Sequence, residues 1–243
     1  MITMVSTLLP RLRQSFVPWC AVVTTATLVC GCTRVLNGTV QAVVPGAGPS
    51  EPIAVSDLLI EPGSFPAQYP AVVLDPKAVY RVLQEIDGVG AGSVVTPPEC
   101  APPPVSPAHS AAVQGIDSQN AGSLIVTVTR AAPAMRGRVD QLTACPSFTS
   151  VAGEDVSSVT VSLLSPPPVD ADDSYAVEQS QISETAGTMR RTLTLVAQIA
   201  DVRVGATWLQ DGTAGTTPNA AHVTELLDTL LTDAVLKVRR DGP

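Results

Sequence analysis

Side chains that carry chemistry are scarce in this chain. Its 243 residues include only 2 histidines and 5 cysteines, and aromatic residues make up 3%. No C-x-x-C pair and no H-E-x-x-H run occurs, which removes the usual zinc spacings. No G-x-S-x-G elbow is present either. A Ser-His-Asp system would have to use His109, in a proline-rich loop, or His222, near the start of the last helix. A solvated surface histidine is the simpler reading at both places, because triad geometry needs a buried orienting acid. Basic residues are also few, with 14 Lys and Arg against 22 Asp and Glu and a net charge of −8. Phosphate neutralisation needs clustered Lys and Arg, so this balance argues against nucleic acid and against a polybasic grip on anionic lipid.

An export signal is present instead. Arg11 and Arg13 precede an apolar run from Phe16 to Val29, and Leu28-Val29-Cys30-Gly31-Cys32-Thr33 closes it. A charged start, an apolar centre and a small residue just before a cysteine make a secretory signal ending in a lipobox. The departure is Cys30, where a small or aliphatic residue is usual. A membrane-spanning helix would need about 20 apolar residues; this run is shorter and contains Pro18. The expectation is cleavage before Cys32, acylation of its thiol, and an exported, lipid-anchored protein facing the periplasm or cell envelope. Losing Arg11 and Arg13, with no acid, takes the net charge from −8 to −10.

Three segments follow from this reading: a signal peptide at 1–31, a lipidated N-terminus and flexible tether at 32–54, and a folded domain at 55–240. The tether lacks helical periodicity and ends in Gly, Pro and Ser. Only Cys100 and Cys145 remain in the exported domain, and an even pair in an oxidising compartment usually bonds. A two-thiol metal site is the rival reading, and the histidine count speaks against it.

Periodicity supplies the elements. Asp75 caps a helix running to Asp87, with Pro76 at its first position and Val79, Val82, Leu83 and Ile86 on one face. The glycines at 88, 90 and 92 follow that helix and open no second one, so they read as a turn and not as a phosphate cradle. A weaker helix fits 134–144. Strands are expected at 123–130, 157–164 and 174–183, and a hairpin at 192–199 and 202–209 about Ala200-Asp201. A two-residue hairpin favours Gly or Asn there, so one long bulged strand is the alternative. Glu61 to Pro70, with three prolines, should run extended along the surface. The last helix, 218–238, has an apolar stripe from Val223 to Val235 that must lie against a sheet. The expected fold class is α+β, an antiparallel sheet packed against two or three helices.

The stretches Thr96-Pro97-Pro98-Glu99-Cys100 and Gln141-Leu142-Thr143-Ala144-Cys145, the paired strands of 191–209 and the amphipathic last helix resemble mycobacterial envelope lipoproteins related to the PknH-like extracellular domain, a kinase sensor domain. In that domain the cysteine after the proline-rich loop bonds the one closing the next helix, which would match Cys100 and Cys145. Its second disulfide has no counterpart here. The resemblance implies a ligand-sensing or ligand-binding module with no kinase attached.

The functional expectation is therefore a non-enzymatic binding or sensor-like lipoprotein without a cofactor. Its partners would be the membrane, through Cys32, and an unknown small molecule, lipid or envelope protein. A structural or protein-interaction lipoprotein is the alternative, and a hydrolase using His222 is a distant third. Tyr175 and Trp208, in expected strands, are the candidate ligand-binding aromatics, although core packing is the more ordinary role for both. The acidic run Asp170-Ala171-Asp172-Asp173 has carboxylates for Ca²⁺ but lacks the glycine and distal glutamate of an EF-hand; a solvated loop is the better reading, and no metal site is expected. One prediction is immediate. Cys100→Ser should cost about 4 kcal/mol of stability, the loop-closure entropy of such a bridge, in denaturant melts under oxidising conditions, and almost nothing under reductant.

Overall fold

Nine antiparallel strands hydrogen-bond into a single sheet, in the spatial order β1-β3-β4-β9-β8-β7-β6-β5-β2. The computed structural model describes residues 53–90, 92–104, 106–130, 134–212 and 220–242. The strands are β1 (Ala71–Val73), β2 (Val94–Thr96), β3 (Ser110–Asp117), β4 (Gly122–Arg130), β5 (Ser147–Ala152), β6 (Asp155–Leu164), β7 (Asp173–Ser183), β8 (Met189–Ile199) and β9 (Val202–Gly212). The helices are α1 (Pro76–Ile86), α2 (Met135–Ala144) and α3 (Ala220–Asp241). No helix among the described residues is long and apolar enough to cross a membrane. The signal, Cys32 and nearly all of the tether lie outside the described residues.

The α+β expectation is corrected by this sheet. Segments that lack a clear alternation in the sequence, notably β3 and β5, pair into it and widen it to nine strands. The helices do not form a matching second layer. Among the described helices, only α3 lies along a face, with Val223, Leu227, Leu230, Leu231, Ala234, Val235 and Val238 buried against Val202, Val204 and Ala206 of β9 and Leu195 and Ala197 of β8. The short helices α1 and α2 sit apart on the opposite face. Val79 and Val82 of α1 cover Ala112, Ile125 and Leu209. Leu142 of α2 joins Phe148, Val159, Val161 and Val177 at the other end, around the Cys100–Cys145 bridge.

Local chemistry explains why several elements start and stop where expected. The Asp75 carboxylate accepts from the Lys77 and Ala78 amides at 2.9 and 3.0 Å, so two orphan donors at the start of α1 are satisfied. Gly88, at φ +72°, carries the chain away from the helix end. The hairpin about Ala200-Asp201 forms as two strands, with Ile199 opposite Val202. Ala200 adopts φ +50°, a conformation costing a non-glycine residue about 1–2 kcal/mol. Two side chains offset that cost. The Ala200 amide donates to Asp172 Oδ2 at 2.7 Å, and Gln198 Nε2 donates to the Ala200 carbonyl at 3.1 Å.

The proline-rich lead-in at 61–70 departs from the extended surface run expected of it. A 3₁₀ turn at Pro62–Ser64 tips Phe65 and Tyr69 into the core, where both are under a tenth exposed. Aromatic burial outweighs the preference of prolines for an extended surface path. Gly115 on β3 admits them: a Cβ there would stand 2.6 Å from the Tyr69 carbonyl oxygen and 2.9 Å from the Phe65 ring. Backbone on one side leaves no room to give. Gly115→Ala should destabilise the fold by about 1–3 kcal/mol, read as a lower denaturation midpoint with an unchanged slope.

Candidate functional site

Strand β9 sorts its side chains to the two faces. Val202, Val204, Ala206 and Trp208 point to α3, and Arg203, Gly205, Thr207 and Leu209 point the other way. The second set meets Thr127 and Thr129 of β4, Thr194 and Val196 of β8, and Tyr175 of β7. Between the parts of this face covered by α1 and α2 lies a half-open cavity of about 320 Å³. Its size falls at the lower end of the range for small-molecule sites, about 300–1,000 Å³.

The floor is polar yet buried. Thr194 Oγ1 and Thr207 Oγ1 are hydrogen-bonded at 3.0 Å, so two hydroxyls satisfy each other away from bulk water. Gly205 leaves the floor open: a Cβ there would approach Thr127 Oγ1 to 2.8 Å and project into the cavity. The walls are mixed. Leu83 and Ile86 come from the last turns of α1, and Pro103 and Pro104 from the loop after Cys100.

One guanidinium ties the walls together. Arg138 of α2 donates to Asp87 Oδ1, at the end of α1, and to Gln141 Oε1, both at 2.6 Å. Gln141 then donates from Nε2 to the carbonyls of Glu99 and Ala101 at 2.9 and 2.7 Å, which fastens the proline-rich loop. The disulfide fastens the same loop, with a Cα–Cα distance of 5.6 Å. The Arg138 side chain is 10% exposed and that of Asp87 24%. Burial raises the Asp87 carboxyl above its ordinary range, against the opposing pull of Arg138.

The two candidate aromatics part company here. Tyr175 lines the cavity beside Arg138. Burial raises its phenol, the Asp87 carboxylate adds to this, and Arg138 and Arg203 oppose it. Trp208 lies on the other face, 6% exposed among the residues under α3 and in the same core cluster as Tyr69. It belongs to the core and does not reach the cavity. His109, exposed at the end of a 3₁₀ turn, lines the mouth, whereas exposed His222 sits at the start of α3 outside it. The acidic loop has other duties. Asp170 accepts from Arg239, and Asp172 holds the β8–β9 turn. Among the described residues no cluster of three or more metal-ligating side chains forms.

Sequence reasoning did not single out Asp87, Arg138, Arg203 or the three threonines. The available signal was the polar half of each alternation. Thr127, Thr194 and Thr207 fall on three neighbouring strands, where a solvent-facing stripe is the default reading. The Arg138 link is directly testable. Arg138→Met should remove charge-assisted bonds and lower stability by about 1.5–3 kcal/mol. Because the loop loses its hold, exchange of the backbone amides between Ala101 and His109 should also speed up in the variant.

No family model matches the chain, and no curated protein matches it. Among solved structures, the chain is similar to an uncharacterized protein from Mycobacterium smegmatis, described as an Rv0999 ortholog. The two are 18% identical, with 76% of this chain and 95% of that one aligned at a TM-score of 0.42. At that score the likeness carries no argument about activity or ligand. A mycobacterial protein is thus among its structural neighbours. The finer resemblance to the PknH-like extracellular domain rests on its sequence patterns alone.

Proposed function

We propose that this chain is an envelope lipoprotein, anchored through acylated Cys32, whose domain binds a small molecule without chemical turnover. The observation that supports this reading is the cavity of about 320 Å³ on the sheet face not covered by α3. It combines apolar walls with a few converging polar groups, the composition of a small-molecule site. The rigid sheet sets its floor, and three separate links (the disulfide, Arg138–Asp87 and Gln141 to the loop) hold its rim. A preformed site of this kind loses little ordering entropy on binding. The sensor-like role follows from the resemblance of Thr96 to Cys100 and Gln141 to Cys145 to a kinase sensor domain. Two acyl chains on Cys32 would give stable anchoring, since one is marginal.

A second reading, a protein-interaction lipoprotein, draws on the sheet edges. Val72 and Val73 of edge strand β1 are 60% and 56% exposed, and Val94 of β2, on the far edge, is 67% exposed. Exposed apolar edge strands are templates for pairing with another chain.

Native mass spectrometry separates the two. The mature chain, recovered without denaturant from an envelope extract, should carry an added small mass that a Gly205→Val variant lacks. A bare protein in both cases would contradict the binding reading and favour the edge strands.

A further inference from the structure

One hydroxyl of the cavity floor is left over once the others are paired. Antiparallel strands set residues of one face directly opposite each other, where their side chains meet. Thr194 faces Thr207, and their hydroxyls bond at 3.0 Å. Thr129 faces Ser110 and donates to its hydroxyl at 3.1 Å. Thr127 lies opposite Ala112 on β3 and Gly205 on β9, and neither offers a polar side chain. It is 8% exposed and lines the cavity, yet its hydroxyl has no hydrogen-bond partner among the described residues. Gly205 leaves the space beside that hydroxyl unfilled, since a Cβ there would stand 2.8 Å from Thr127 Oγ1. Buried hydroxyls are as a rule hydrogen-bonded, so a guest oxygen is the group that fits this corner of the floor.

The charged groups around it are committed to the protein's own side chains. Arg138 uses Nη2 on Asp87 and Nη1 on Gln141, both at 2.6 Å. Arg130 meets Asp201 at 3.2 Å, and Arg203 donates to Gln198 Oε1 at 3.2 Å. An ionised guest would lose its hydration beside groups already engaged, a cost that a neutral guest does not meet. Leu83, Ile86, Pro103, Pro104 and Val196 give the walls their apolar surface. A volume of about 320 Å³ holds roughly ten groups the size of a water, at about 30 Å³ each.

Resting on the binding reading above, we infer that the site takes a small uncharged molecule. One hydroxyl or carbonyl oxygen of the guest bonds Thr127 Oγ1 over Gly205, and a compact aliphatic body lies against Leu83, Ile86 and Val196. A threonine hydroxyl both donates and accepts, so either kind of oxygen suits it. Thr127 is the specificity residue, separating an oxygenated guest from a hydrocarbon of similar shape. Gly205 supplies the room in which the two oxygens meet.

Five probes built on one ring test this on the mature chain: cyclopentanol, cyclopentanone, cyclopentane, cyclopentylamine and cyclopentanecarboxylate. Each is titrated at neutral pH, with the methyl resonances of Leu83, Ile86 and Val196 as reporters. Cyclopentanol or cyclopentanone should shift them saturably and bind more tightly than the amine and the carboxylate. The stronger of the two identifies the oxygen as hydroxyl or carbonyl. In Thr127→Val, which keeps the shape and removes the hydroxyl, the affinity of that probe relative to cyclopentane should fall about three- to tenfold. Thr127→Ser should keep the ratio within about twofold. Should Thr127→Val fail to fold, Gly205→Ala, which fills the space beside the hydroxyl, should lower the same ratio. A ratio unchanged by Thr127→Val, or by Gly205→Ala in its place, overturns the inference. Tightest binding of the amine or the carboxylate overturns it while leaving a binding cavity in place. Silence toward all five probes overturns the ligand class assigned here, and the native mass measurement then tests binding itself independently.

Discussion

Alternation along β9 is the constraint on which the structure depends. Each residue of a strand commits its neighbour to the opposite face. Val202, Val204, Ala206 and Trp208 therefore build the floor of the core under α3, while Arg203, Gly205 and Thr207 become the floor of a cavity on the reverse side. A register slip of one residue would bury a guanidinium under α3 and expose the tryptophan. The pairing of β9 with β8 over Ile199–Val202 through Met189–Gly212 holds that register, and Asp172 secures its turn. The candidate site is in this sense the underside of the core.

Why the underside stays open is a matter of helix length. The apolar stripe of α3 runs for 22 residues and can cover a broad stretch of sheet. Helices α1 and α2 have 11 and 10 residues and cover only its two ends on the other face. What lies between them is polar, and threonine hydroxyls that satisfy each other tolerate partial burial without an apolar lid. Arg138 spans the gap. It binds the end of α1 and, through Gln141, the proline-rich loop, so the cavity has fixed walls rather than two independent flaps.

Much of the strand and helix content was legible in the sequence, because its signals are local. Asp75-Pro76 announces the start of α1, the stripe from Val223 to Val235 announces α3, and β4, β6, β7, β8 and β9 show apolar alternation. The architecture was less legible. Short edge strands such as Ala71–Val73 and Val94–Thr96 carry no periodicity of their own and exist through their partners. Strand β3 reads Ser-Ala-Ala-Val-Gln-Gly-Ile-Asp, buried on both faces and hence without alternation. With those strands added, the sheet outgrew the layered α+β arrangement the local signals suggested. The cysteine pairing was readable by counting. The site was not. Tyr175 and Trp208 look equivalent in sequence, and only their register separates a cavity wall from a core residue. Asp87 and Arg138 are 51 residues apart, and nothing local links them.

A high-resolution crystal structure of the mature chain, purified without denaturant from the envelope of the cells that make it, tests the central claim most directly. The account predicts an open cavity over Thr127, Thr194 and Thr207, with Arg138 bridging Asp87 and Gln141, and density for a small molecule on the threonine floor. Closure of Ile86 and Pro103 onto the threonines, with no space between, would contradict it.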